Sequence, residues 1–117
     1  MTADELHVVV EPTDDGVVVI RVRGTLDGWS GRSELVEALE DAAGSGGRLT
    51  VADLSGLLFA DSTGLHALLN AQQSHAETGV PLVLAGPLAT GVRRLFEVSG
   101  TSGAFTFAET VDAALAC

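Results

Sequence analysis

Two apolar runs with almost no polar alternation, Leu49 to Leu54 and Val80 to Ala85, constrain the fold of this 117-residue chain more than any other feature. A strand with apolar side chains on both faces has to be covered on both, as central strands of a parallel sheet are. Each run is followed by a helical pattern. Ser62 to Glu77 places Leu65, Leu68 and Leu69 along one side and ends before Gly79. After Gly86-Pro87, a shorter helix turns Leu88, Val92, Leu95 and Phe96 inward and closes at Gly100. Strand, helix and strand in alternation imply right-handed crossovers between parallel neighbours.

The N-terminal part has a different period. Leu6, Val8 and Val10 alternate with His7, Val9 and Glu11, and Val18, Ile20 and Val22 alternate with Val19, Arg21 and Arg23. With Pro12 to Gly16 as the turn, this predicts an antiparallel hairpin with one apolar face. A helix follows to about Ala43, capped by Ser30 or Ser33, with Leu35, Val36, Leu39 and Ala43 inward and Glu34, Glu37, Glu40 and Asp41 in solvent. A last short strand is expected over Gly103 to Phe107, then a helix carrying Val111, Ala114 and Leu115. The order β-β-α-β-α-β-α-β-α predicts an α/β fold: a mostly parallel mixed sheet of about five strands with about four helices packed on it. Residues 1–117 read as one domain without a linker or repeat.

Charge excludes several partners. The formal net charge is −10 and all six cations are Arg, with no Lys. Nucleic-acid binding needs a basic footprint that this chain lacks. No apolar stretch approaches the roughly 20 residues that span a bilayer, and no signal-like segment opens the chain, so membrane insertion is not expected. The lone cysteine, Cys117, permits no internal disulfide and fits a reducing cytoplasm. His7, His66 and His75 do not form a ligand-spaced set, so no metal is expected.

The chemistry concentrates in Leu54-Ser-Gly-Leu-Leu-Phe-Ala-Asp-Ser-Thr-Gly-Leu65. A strand leads through a tight loop, whose Phe59 is expected in the core, to a helix opening on Asp61, Ser62, Thr63 and Gly64. Asp and Ser are favoured N-caps, and such an N-terminus favours an anion. A phosphate on Ser62 would sit in that field. Asp61 is placed to bond backbone N–H groups, and Gly64 to relax the turn or admit a partner backbone. Catalysis is less well supported. Asp27, Asp53 and Asp61 lie near strand ends, but no base is positioned beside Ser62. The Gly-x-Ser-x-Gly elbow is absent, and a Walker loop is impossible without Lys. The chain is not expected to be an enzyme, and no cofactor is expected.

The same stretch resembles the signature loop of STAS domains, the family of bacterial anti-sigma factor antagonists. Gly24-Thr25-Leu26-Asp27 resembles the family's Gly-x-Leu-Asp, and Val92 to Gly100 its Val-x-x-Leu-Phe-x-x-Ser-Gly helix. The resemblance implies a switch. Ser62 matches the residue phosphorylated by an anti-sigma factor that is itself a serine kinase. The unmodified antagonist binds that kinase and frees the sigma factor; phosphorylation abolishes binding, and a phosphoserine phosphatase restores it. The resemblance places Asp27 beside the Ser62 loop, and makes Asp27, Asp61, Ser62, Thr63 and Gly64 the partner-binding set. It implies a cytoplasmic monomer or weak homodimer. Two departures stand out: Thr101 occupies a position that is often Leu, and the stretch from Asp27 to Leu35, with Trp29, is one residue longer than in a sporulation member of the family. The resemblance also admits a second role, as an accessory subunit of a phospholipid-trafficking ABC transporter.

Overall fold

In the computed structural model, which describes residues 6–26 and 32–116, five strands form one sheet in the order of the chain. They are β1 (His7–Pro12), β2 (Val17–Leu26), β3 (Leu49–Ala60), β4 (Leu82–Ala85) and β5 (Thr106–Ala108). β1 pairs antiparallel with β2, and every later pair is parallel. Four α-helices accompany them among the described residues: α1 (Arg32–Ala43), α2 (Ser62–Thr78), α3 (Thr90–Ser99) and α4 (Val111–Leu115). The α/β class and the mixed sheet with its N-terminal hairpin are those implied by the apolar patterning.

Strand order explains the layers. The sheet grows in one direction from β2 to β5, so right-handed crossovers put α1, α2 and α3 on the same face. That face holds the larger core, where Ile20, Val22, Leu26, Ala52, Leu54 and Leu84 meet Leu35, Leu39, Leu65, Leu68 and Phe96. α4 follows the last strand, is bound by no crossover, and closes a smaller core on the other face with Val17, Val19, Val51, Val83 and Ala114. The central strands are thus covered on both sides, as their lack of alternation requires.

Some boundaries differ from the sequence expectation. β4 begins at Leu82 because Pro81 has no N–H to donate; its carbonyl still accepts the Thr50 N–H at 2.9 Å. α3 begins at Thr90, not at Gly86-Pro87, after the extended residue Ala89. β5 is short because a 3-10 turn, Ser102–Ala104, occupies the start of the expected strand. Phe105 and Phe107 still lie together, edge-on to Phe96 with ring centroids at 5.3 and 5.2 Å. Val10 was expected inside and is 48% exposed, because β1 is the edge strand and α1 covers it only in part.

Candidate functional site

No tight loop separates β3 from α2. β3 continues to Ala60, and its last residues pair only with β2 because β4 stops opposite Asp53. Two irregularities interrupt the β2–β3 ladder. Arg21 lies opposite Asp53 but Arg23 opposite Gly56, and Gly24 lies opposite Leu57 but Thr25 opposite Phe59. Each inserts one extra residue into β3. The second insertion leaves Leu58 unpaired and resets the phase, so the consecutive residues Leu58 and Phe59 both face out, at 61% and 52% exposure. Phe59 is therefore surface and not core, a correction that strict alternation hid. Bulges of this kind re-aim side chains at strand ends.

Asp61 joins strand to helix. Its backbone is extended, its carboxylate accepts the Gly64 N–H at 3.0 Å, and its carbonyl accepts the Leu65 N–H at 2.9 Å. Its own N–H donates to the Leu26 carbonyl at 3.2 Å, tying the end of β2 to the start of α2. Asp61 is therefore the N-cap, worth about 1 kcal/mol in typical cases. Ser62 is relieved of that task. Its hydroxyl is exposed and has no hydrogen-bond partner among the described residues. Thr63 is half-buried and equally unpartnered. With Gly64 and Leu65 satisfied by Asp61, the N–H groups of Ser62 and Thr63 are the first-turn donors left without a partner among the described residues. At the positive end of this 17-residue helix, donors without a partner among the described residues flank an exposed serine.

Gly64 has a packing role that the motif did not reveal. A Cβ there would lie 2.6 Å from Leu26 Cγ and 2.8 Å from the Leu26 carbonyl oxygen. Ordinary carbon contacts are about 3.5–4.0 Å, so the close approach of α2 to β2 depends on glycine. Asp61, Ser62, Thr63 and Gly64 are brought together at one sheet end. Asp27 and Trp29 lie outside the described residues, as does Ser30; Leu26, which precedes Asp27, is the residue bonded to Asp61.

The other acidic candidate, Asp53, belongs to a brace across three strands. Arg21 donates to Glu11 and to Asp53, each at 2.9 Å, and Asp53 accepts from the Ser55 N–H and hydroxyl at 3.0 and 2.7 Å. Glu11 first, and Asp53 second, hold the Arg21 guanidinium above its usual pKa. His75 is buried, with Nδ1 2.8 Å from the Ala71 carbonyl and Nε2 3.0 Å from the Thr50 hydroxyl; His66, nine residues earlier on α2, is exposed. No cluster of His, Cys, Asp or Glu among the described residues is arranged to hold a metal. No helix among them is long and apolar enough to cross a membrane.

Comparison with known proteins bears on the family and the fold. The family model described as "Mlab, STAS domain" matches residues 9–109. No curated protein matches the chain. Among solved structures, an anti-sigma factor antagonist from Mycobacterium paratuberculosis is 25% identical, with a TM-score of 0.84 over 98% of this chain and 95% of that one. Bacillus SpoIIAA, an anti-sigma factor antagonist, superposes in its unphosphorylated form at 22% identity and TM-score 0.74, over 92% of this chain and 93% of that one. Its phosphorylated form does so at 21% and 0.70, over 94% and 98%. At these two identities the likeness is one of fold.

Proposed function

This chain belongs to the STAS domain family, and on that premise we propose that it is an anti-sigma factor antagonist switched by phosphorylation of Ser62. In this reading it is a cytoplasmic binding protein and not an enzyme. Its unmodified form binds an anti-sigma factor with serine kinase activity and so frees the sigma factor, and a phosphoserine phosphatase resets it. The observation that carries the reading is the division of labour at the start of α2. Asp61 caps the helix, which leaves the Ser62 hydroxyl exposed beside two N–H groups that have no partner among the described residues. A cap hydroxyl would be occupied; this one is accessible to a kinase. The likeness to the mycobacterial antagonist over 98% of the chain supports the partner class.

The contact surface in this proposal combines Asp61, Ser62, Thr63 and Gly64 with the outward pair Leu58 and Phe59, and Asp27 joins them by family resemblance. Apolar side chains of that size next to a small hydroxyl suit a partner that desolvates both. Phosphorylation adds about 1.5 to 2 negative charges beside Asp61. The free N–H groups hold the phosphate, so the fold survives, while the partner meets a dianion where it had buried a hydroxyl. Penalties of several kcal/mol follow at such interfaces, or roughly a thousandfold in affinity.

The test is incubation with the cognate anti-sigma kinase and ATP, mass spectrometry of the product, and titration of both forms. Ser62→Ala keeps fold and binding and takes no label. Ser62→Glu keeps the fold and loses much of the binding. Label at another residue, or equal affinity of the two forms, would refute the switch. That result would favour the second reading, an accessory subunit of a phospholipid-trafficking ABC transporter, in which the serine need not be modified. The second reading stands because the matching family model is described as Mlab and not as an antagonist.

A further inference from the structure

The free edge of β1 is complementary to itself. The hairpin closes with the Thr13 N–H on the Val17 carbonyl at 2.8 Å. Hydrogen-bonded and non-bonded pairs alternate along an antiparallel ladder. Given the register, the pairs bonded toward β2 are therefore Glu11 with Val19, Val9 with Arg21, and His7 with Arg23. The N–H and C=O groups of Val8 and Val10 point the other way, to an edge with no neighbouring strand among the described residues. Pro12 shares that parity, so the donor it lacks is missing on the open side and not from the β1–β2 ladder. Val9 and Val10 are each 48% exposed, and no Lys or bulge protects the stretch from His7 to Glu11.

We propose that this edge binds a second copy of the chain, with β1 antiparallel to the second copy's β1 about a two-fold axis at Val9. Several features select this register. Val8 meets the second copy's Val10 in a bonded pair, and the symmetry repeats it, giving four N–H to carbonyl bonds. Val9 faces the second copy's Val9 in the intervening non-bonded pair, where side chains approach most closely. On the same face, His7 lies opposite the second copy's Glu11, twice, and Arg21 already holds Glu11 on that face at 2.9 Å. Sliding the strands by two residues in either direction sets Val9 against His7 or Glu11 and loses both polar pairs. This self-complementarity, and not apolar exposure alone, identifies the occupant as a second copy in a closed two-fold pair. Six residues a side is a small interface, so the dimer is weak, with a dissociation constant of about 10 μM to 1 mM.

Sedimentation velocity of the full chain from about 10 μM to 1 mM tests this, with circular dichroism confirming that each variant folds. The wild type shifts from monomer to dimer across the series. Val10→Pro removes an outward N–H that the monomer does not use, and Val9→Lys sets two cations against each other at the axis; each weakens the dimer at least tenfold. In a Cys117→Ser background, Val9→Cys forms an intermolecular disulfide on air oxidation and Val8→Cys does not, because only position 9 meets itself. A wild type that stays monomeric throughout overturns the proposal. So do Val10→Pro and Val9→Lys variants that associate as the wild type does, or equal cross-linking at positions 8 and 9.

Discussion

Replacing Gly64 by alanine sets two known effects against each other at one atom. Alanine favours a helix over glycine by about 1 kcal/mol. At Gly64, though, the new Cβ meets Leu26 Cγ at 2.6 Å and the Leu26 carbonyl oxygen at 2.8 Å, and the second is backbone and does not rotate away. Relief requires α2 to move off β2 by nearly 1 Å. That displacement falls on the Leu26–Asp61 bond, already 3.2 Å long. Overpacking costs about 1–3 kcal/mol, and a weakened hydrogen bond adds about 1 kcal/mol. After the helix-propensity gain, a net loss of about 1–3 kcal/mol remains. Urea denaturation should show the midpoint falling by about 1 M, and heating should show a melting point lower by about 4–12 °C. Gly91 in α3 is the control, because a Cβ there meets nothing within 4 Å. Gly91→Ala should gain about 0.5–1 kcal/mol. A Gly64→Ala protein as stable as the wild type, beside a Gly91→Ala that behaves as expected, would show that the contact between α2 and β2 yields easily and that Gly64 is not required for packing.

Two further substitutions probe the core and the proposed surface. Thr50→Val leaves the buried Nε2 of His75 without its partner and should lower stability by about 1–3 kcal/mol. Adding His75→Leu should cost less than the sum of the single changes, and strict additivity in denaturant titrations would deny the pairing. Phe59→Ser should leave stability within about 0.5 kcal/mol of wild type, since the ring is half in solvent. If the proposed surface is right, it weakens binding of the cognate anti-sigma kinase at least tenfold, as loss of an aromatic anchor does. Unchanged affinity by calorimetry would remove Phe59 from that surface.

Apolar period and helix-end chemistry are local, and they were legible in the residues. The uninterrupted runs at Leu49 and Val80 required a sheet covered on both faces, and Gly79 and Gly100, both left-handed, mark helix ends where glycine is favoured. The start of α2 at Ser62 followed from the cap residues before it. Which residue did the capping was not legible, because Asp61 and Ser62 are both good caps and only the path of β3 into α2 decides between them. Where the chain meets itself from afar, tertiary structure decided. The two extra residues in β3 exist only relative to β2, and they turn Phe59 outward against its hydropathy. Arg21 finds Glu11 and Asp53 only once three strands align, and His75 finds Thr50 across 25 residues of chain. Gly64 reads as a flexible turn residue in sequence; in the fold its missing side chain is the space Leu26 occupies. Periodicity reports which face of an element is buried, whereas contacts between elements depend on register and crossover direction, and no single segment carries those.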